Sequence, residues 1–170
     1  LKDMTDTRYG PSQSLDEFLL KAHHLDYDGT RAMFEGFRVK VPAATGVIQW
    51  MLNSAWPSLY WQMYDWYLVP CASYWSVKLG CAPQQLIYNY TDKFIYAVDD
   101  EAEDMNLTAY AEVFDLSGNV TFSKEQEVAM KASVPVKMFE IPQCNEVSFL
   151  FLTLKDKSGK EVATNNYCLS

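Results

Sequence analysis

The first half of the chain combines a helical hydrophobic pattern with a strand-like one. Ser14 and Glu17 form a capping box directly before a run of apolar residues at helical spacing. The run predicts a helix over residues 14–37, although Gly29 within it weakens the expectation of an unbroken helix. The apolar positions assigned to its buried face are Leu15, Phe18, Leu19, Ala22, Met33, Phe34 and Phe37.

Two more elements are expected before residue 83. Residues 47–52 are mostly apolar, which predicts a short strand covered on both faces. Residues 71–81 predict a short helix, because Gly80 and Pro83 are typical stop signals. The order helix, strand, loop and helix is that of a β/α repeat, and one such unit cannot close a barrel.

From Gln84 onward the pattern changes to short strands separated by turns. The predicted strands cover residues 86–90, 94–98, 107–114, 127–132, 136–141, 147–154 and 161–167. About seven short strands with regular turns are typical of an immunoglobulin-like sandwich. The alternation is interpreted as placing the aromatic side chains of these strands in the core. This half is therefore predicted to be a structural spacer without a sugar site.

An aromatic segment, residues 46–67, precedes the second predicted helix. All five tryptophans lie between Trp50 and Trp75, with tyrosines among them. A buried core rarely needs this density, because each indole N–H must find a partner when it is buried. Flat rings beside amide and hydroxyl groups suit a sugar. Composition alone leaves two interpretations open, a sugar-binding surface and an aromatic core with a few tryptophans at an interface.

The order of residues in the aromatic segment resembles a known family. The motif reads G-V-I-Q-W-M-L-N-S-A-W-P-S-L-Y-W-Q and is followed by D-W-Y-L. It resembles the eighth barrel strand and following loop of glycoside hydrolase family 2. The resemblance is closest to exo-β-D-glucosaminidases, with β-mannosidases and mannosylglycoprotein endo-β-mannosidases near by. It continues through residues 72–78 and 88–90 and weakly through 160–169, where Cys168 replaces the usual Trp.

The resemblance implies a fold and an activity. The fold class is α+β, with the C-terminal fragment of a (β/α)8 barrel at residues 1–82 and an immunoglobulin-like β-sandwich at 83–170. Residue 1 then falls inside a domain. The implied activity is that of a retaining hydrolase acting on terminal β-linked glucosamine of chitosan-type oligosaccharides, in an extracellular or periplasmic location.

The resemblance also assigns roles to residues of the aromatic segment. Trp50 forms the floor of the subsite for the terminal sugar, Asn53 lies at its rim, and Trp56 and Trp61 shape the loop. The catalytic acid/base and nucleophile are expected upstream of residue 1. Asp65 is the one carboxylate in the segment, and a retaining glycosidase needs two. Two alternatives stay open: a β-mannosidase or endo-β-mannosidase of the same family, and a non-catalytic carbohydrate-binding module.

Charge and composition narrow the range of partners. The net charge is −8 without a basic stripe, which argues against nucleic acid and against anionic membrane surfaces. His23 and His24 point in different directions on a helix and cannot both face one ion. The four cysteines lack metal-ligand spacing and are expected to be buried thiols. Neither a metal nor a cofactor is predicted.

The expected partners are an oligosaccharide and the remainder of the chain's own catalytic barrel. A barrel fragment leaves strand edges and apolar faces without neighbours. We therefore expect the isolated fragment to associate with itself through the predicted strand and the aromatic segment.

Overall fold

The computed structural model describes residues 1–58, 62–101 and 104–169. The chain divides into two compact units. The first contains Leu1–Phe34 and Val47–Cys81, and the second contains Glu35–Gly46 and Ala82–Ser170.

Three helices form the frame of the first unit: α1 (Lys2–Tyr9), α2 (Leu15–Arg38) and α3 (Ala72–Gly80). The last turn of α2 belongs to the second unit. The predicted capping box is present in part: the Glu17 amide donates to Ser14 Oγ at 3.2 Å, and Glu17 Oε2 accepts at 2.8 Å from the amide of Gln13, one residue before Ser14. Helix α2 continues through Gly29, which is exposed. Helix α1 lacks an amphipathic pattern and was not predicted.

The predicted buried face of α2 is wrong at several positions. Leu15, Met33 and Phe37 are exposed, whereas Arg31 and Glu35 are buried. Apolar spacing identifies a face that could be buried, but packing decides which face meets a neighbour. Buried charges are tolerated when they are paired, and Arg31 Nη2 lies 3.4 Å from Asp28 Oδ1.

The strand predicted over residues 47–52 is also wrong as a strand. The backbone there joins no ladder in the part of the chain that the structure describes. Isolated bridges follow it instead, between Asn53 and Tyr64 and between Tyr64 and Pro70. A strand requires a hydrogen-bonding neighbour along its length, which an apolar pattern does not provide.

The second unit is a sandwich of two antiparallel sheets, as the alternating pattern predicts. Its strands are β1 (Gln84–Tyr88), β2 (Phe94–Asp99), β3 (Met105–Phe114), β4 (Val120–Met130), β5 (Val136–Glu140), β6 (Ser148–Lys155) and β7 (Glu161–Leu169). One sheet has the order β1-β2-β5 and the other the order β4-β3-β6-β7. The chain as described is therefore α+β, with a sandwich as its larger unit.

Alternate residues of the strands fill the core between the two sheets. Leu86 and Ile95 come from the smaller sheet, and Ala109, Leu150 and Leu152 come from the larger one. All five are buried. The two-residue period of the strands puts their neighbours on the outer faces.

Two hairpins of the larger sheet are closed by the same turn sequence, D-x-S-G-x. In the β3–β4 turn, Asp115 Oδ1 accepts from the amides of Ser117 (2.8 Å) and Asn119 (2.9 Å). Asp156 does the same in the β6–β7 turn. Gly118 and Gly159 follow with φ of 82° and 85°, a conformation that favours glycine. These local signals made both turns predictable.

A buried polar network lies inside the second unit. Glu35, which is 1% exposed, accepts from Asn165 Nδ2 (2.9 Å) and from the Tyr167 hydroxyl (2.9 Å). Asn165 Nδ2 also lies 3.1 Å from the Leu86 carbonyl oxygen, and the Tyr88 amide donates to Tyr167 Oη at 3.1 Å. The network ties the last turn of α2 to β1 and β7.

Candidate functional site

The aromatic segment presents large apolar side chains to solvent. Ile48 is 94% exposed, Trp50 75% and Trp56 67%. The peptide bond between Trp50 and Met51 is cis. Side chains this open contribute little to a core, so their surfaces are available to a ligand or to another part of a larger protein.

Buried polar groups hold the part of the loop that follows. Ser54 donates a hydrogen bond from Oγ to Gln62 Oε1, and both residues are buried. Ser73 Oγ donates to the Gln62 carbonyl oxygen at 2.8 Å. The Ser73 amide in turn donates to Asp26 Oδ2 at 2.9 Å. These contacts fasten both sides of the loop to α3 and α2, which fixes the base on which the exposed rings stand.

Asp26 also completes the N-terminal end of α3. Helix α3 begins after Cys71, which supplies no side-chain cap. The first amides of a helix lack partners within it and attract negative charge. The Asp26 carboxylate meets both needs at Ser73.

Asp65 closes a turn. Its Oδ1 accepts from the Val69 amide at 2.9 Å, and its backbone amide donates to the Val69 carbonyl oxygen at 3.0 Å. Leu68 within this turn has a φ of 63°. The carboxylate therefore has a structural role.

A second aromatic group lies where the loop meets α3. The Tyr64 and Tyr74 rings have centroids 5.2 Å apart, and the Tyr74 and Trp75 centroids are 5.0 Å apart at a near-perpendicular angle. Lys78 Nζ lies 5.5 Å from the Trp75 ring centroid. Desolvation and the neighbouring Tyr74 raise the pKa of the Tyr64 hydroxyl. The Tyr64 hydroxyl therefore stays neutral and acts as a packing and hydrogen-bonding group.

The structure describes three of the four predicted site residues. The Trp50 and Trp56 rings and the Asn53 side chain are exposed within one short stretch. Asn53 also forms the bridge to Tyr64. Trp61 lies outside the described residues. The supporting residues Asp26, Ser54, Gln62 and Ser73 were missed, because isolated polar residues carry no pattern that shows which of them form hydrogen bonds in the folded chain.

The four cysteine thiols are more exposed than predicted. Cys81 and Cys168 are exposed, and Cys71 and Cys144 are half-buried. Burial, together with the charges of Asp65 and Asp26, raises the pKa of the Cys71 thiol. A thiol that stays protonated is a poor nucleophile.

The described residues include neither a metal-ligand cluster nor a membrane-spanning helix. They contain no group of three or more His, Cys, Asp or Glu side chains that could hold an ion. None of the described helices combines the length and apolar character needed to cross a bilayer. His23 and His24 are exposed.

Comparisons with known proteins give a consistent set of relatives, although no family model matches the chain. The chain is 39% identical over 168 residues to an exo-β-D-glucosaminidase of Hypocrea jecorina, covering 94% of this chain and 19% of that protein. It is 29% identical to an exo-chitosanase of Amycolatopsis orientalis that was solved with PNP-β-D-glucosamine. That comparison has a TM-score of 0.88 and covers 99% of this chain and 21% of the other.

A third relative shares the fold alone. A β-mannosidase of Dictyoglomus thermophilum superimposes with a TM-score of 0.83 over 99% of this chain, at 16% identity. The chain spans about one fifth of the length of the curated relatives it matches.

Proposed function

We propose a function for this chain from its homology to a region of the exo-β-D-glucosaminidases of glycoside hydrolase family 2. Sequence and fold both confirm this resemblance. The chain forms the C-terminal part of a longer retaining glycoside hydrolase. The whole enzyme removes terminal β-linked glucosamine from chitosan-type oligosaccharides. The observation that carries this proposal is the identity of 39% to an exo-β-D-glucosaminidase, extending over 94% of the chain.

Residues 1–82 contribute the last β/α unit of a catalytic barrel. The largely exposed stretch at residues 47–52, which joins no ladder among the described residues, and the helices on either side of it support this assignment. In the complete enzyme, neighbouring strands pair with this stretch and convert it into a barrel strand. The sandwich that follows belongs to the immunoglobulin-like class.

Trp50 forms the floor of the subsite for the terminal sugar. Its exposed ring offers a flat apolar surface, and it stands at the end of the proposed barrel strand, the position where such barrels place their active sites. Asn53 lies near enough in sequence to offer an amide to the sugar hydroxyls. Trp56 and Trp61 extend the aromatic wall.

The chemical step itself is assigned to residues outside this chain. A retaining mechanism requires an acid/base carboxyl and a nucleophilic carboxylate about 5–5.5 Å apart. Asp65 is committed to its turn, and Asp26 to the N-terminal end of α3. The 170-residue chain is therefore expected to be inactive by itself.

The decisive experiment is Trp50→Ala in the complete enzyme, assayed with an aryl β-glucosaminide. We expect kcat/KM to fall by about tenfold or more, because a ring that contacts the sugar contributes on the order of 1–3 kcal/mol to transition-state binding. Trp66→Ala is the matched control, since Trp66 is also exposed but lies in the Asp65 turn. Activity of Trp50→Ala within about twofold of the parent, in a folded enzyme, contradicts the assignment.

A further assay separates the proposed substrate from its relatives. Turnover of an aryl β-mannoside in preference to the glucosaminide places the enzyme with the mannosidases. Binding of both sugars without turnover of either identifies a carbohydrate-binding module.

A further inference from the structure

The outer face of the larger sheet carries aromatic residues that the alternating pattern did not place there. Strand β6 reads S-F-L-F-L-T-L-K, with Leu150, Leu152 and Leu154 buried. Phe149 and Phe151 point away from the core and are 39% and 46% exposed. The prediction that the aromatic side chains of this half lie in the core is wrong for these two residues. Both faces of β6 are apolar, and only one can be buried.

Strand pairing brings more rings to the same face. Phe149 pairs with Phe114 of β3 across the sheet, and the rings of Phe114 and Phe151 meet edge to face with centroids 5.5 Å apart. Tyr110 lies on the same side of β3, four residues before Phe114. We call Tyr110, Phe114, Phe149 and Phe151 the aromatic platform.

Acidic side chains border the platform. Glu112 pairs with Phe151, Glu125 pairs with Tyr110, and Glu127 pairs with Thr108, so all three carboxylates lie on the platform side of their strands. Glu112, Glu125 and Glu127 are exposed. A row of carboxylates beside flat rings favours a ligand that is both cationic and partly apolar.

The face already contains one contact of this kind. Lys155 Nζ lies 4.9 Å from the centroid of the Tyr110 ring, within the range of a cation–π interaction. At the end of β3 and β4, a pocket of about 550 Å³ is lined in part by Asn106, Thr108, Glu127 and Lys157. The platform is therefore continued by a recess with a mixed polar and apolar lining.

We propose that the aromatic platform and its bordering glutamates bind a chain of protonated amino sugars, as a second site separate from the aromatic segment. This proposal replaces the prediction, made from the alternating pattern, of a spacer without a sugar site. The rings cover the apolar C–H faces of the sugars, and the carboxylates attract their ammonium groups. The choice of an amino sugar rests on the proposed function, because the substrate of such an enzyme is itself a polycation. The site increases the local concentration of polymer near the enzyme.

The charge of this unit argues against other ligands for the aromatic platform. Residues 83–170 carry seven lysines against six aspartates and eight glutamates. The resulting negative potential repels an acidic glycan or a nucleic acid, and it adds no attraction for a neutral glycan. Two copies of this face would place their carboxylates against one another, which disfavours a symmetric dimer.

The test is titration calorimetry of the whole chain with a fully deacetylated glucosamine hexamer, in a Trp50→Ala background that removes the proposed site in the aromatic segment. We expect binding that weakens as salt is added, since exposed charges are screened. The double variant Phe149→Ala/Phe151→Ala should weaken it about tenfold or more, and Phe149→Tyr/Phe151→Tyr should retain it. Leu116→Ala, an exposed apolar residue in the β3–β4 turn, should change nothing.

The role of charge is tested separately. Glu112→Gln/Glu127→Gln should weaken binding of the glucosamine hexamer and flatten its salt dependence. The control Glu140→Gln removes a charge from the other sheet and should have no effect. The N-acetylated hexamer, which is neutral, should bind more weakly than the glucosamine hexamer.

Each of the following outcomes contradicts the proposed sugar site on the aromatic platform. Binding in the parent chain that vanishes with Trp50→Ala puts the sugar on the aromatic segment, overturning the platform and leaving the proposed function intact. Binding in the Trp50→Ala background that survives loss of both phenylalanines, or that is equal for the neutral hexamer, also rejects it. So does conversion of an oligomer into a monomer by Phe149→Ala/Phe151→Ala. The proposed function is judged independently by turnover of the complete enzyme.

Discussion

The sandwich unit and the unit that contains the aromatic segment differ most in what they bury. The sandwich encloses a continuous apolar cluster drawn from both of its sheets. In the first unit, the buried apolar residues within the described ranges are Ala22 and Met63, accompanied by buried polar residues such as Ser54, Gln62 and Ser73. Its described tryptophans, Trp50, Trp56, Trp66 and Trp75, are exposed.

This difference shows where each unit finds its neighbours. The two sheets of the sandwich bury their apolar faces against each other within the chain. The first unit has polar contacts that hold its loop in shape, but its four described tryptophans are exposed and form no apolar core within the described residues. Local hydrogen bonding can thus order a loop without burying its apolar surface.

The largest expected effect is in the sandwich core. Leu150→Ala should lower the free energy of unfolding by about 2–5 kcal/mol, because Leu150 is fully buried and leaves a cavity. Ile48→Ala in the first unit should change it by less than about 0.5 kcal/mol, since Ile48 is already exposed. Denaturant unfolding of both variants checks the contrast. Equal losses would show that residues 47–52 are packed in solution.

The next effect concerns the polar network of the second unit. Tyr167→Phe removes the hydroxyl that donates to Glu35 and accepts from the Tyr88 amide. Leaving these buried groups without that partner should cost about 1.5–3 kcal/mol of unfolding free energy. Tyr110→Phe, on the outer face, is the control and should cost less than about 0.5 kcal/mol. A similar, small loss in both variants would contradict a stabilising role for the network.

Self-association should depend on the first unit. Exposed Ile48, Trp50 and Trp56 form an apolar surface of the kind that mediates association. Light scattering at micromolar concentration should show oligomers of the 170-residue chain. Ile48→Asp should raise the dissociation constant by about tenfold.

The control for this measurement lies in the sandwich. Leu116→Asp places the same charge at an exposed position in the β3–β4 turn and should leave the oligomers unchanged. A parent chain that stays monomeric at every concentration would refute the expectation.

The smallest effect is a pH dependence in the sandwich. Desolvation opposes ionisation of Asp92, but hydrogen bonds from Lys137 (2.8 Å) and Tyr96 (2.7 Å) outweigh it and lower the pKa of this carboxyl. Because the folded pKa lies below the unfolded value of about 4, the stabilisation is complete above that value. It is lost as the pH falls through the folded pKa.

Asp92→Asn should therefore cost less than about 1 kcal/mol at neutral pH and nothing in strong acid. Unfolding free energies of parent and variant, measured across this range, test the sign. Lys137→Gln removes the same ion pair and should reproduce most of the effect. A difference that grows in acid would show that the sign is wrong.

Local sequence determined most of the sandwich. Strand composition and the two-residue period located seven strands, although the strand predicted over residues 127–132 covers only the end of β4, and the D-x-S-G-x turns mark two hairpins. The reason is that a strand's period and a turn's φ are properties of a few adjacent residues. The capping box at Ser14 and Glu17 was predictable for the same reason. In the aromatic segment, the order of residues showed the resemblance to exo-β-D-glucosaminidases, and that resemblance singled out Trp50 as a candidate sugar-binding residue.

Tertiary structure decided what each element faces. The phenylalanines and leucines of β6 are both apolar, and packing against the smaller sheet buried the leucines. Glu35 is buried because Asn165 and Tyr167, about 130 positions later, provide its hydrogen bonds. Residues 47–52 have the composition of a strand but join no ladder in the described chain. Periodicity depends on neighbours in sequence, whereas burial and strand pairing depend on neighbours in space, which a local pattern does not contain.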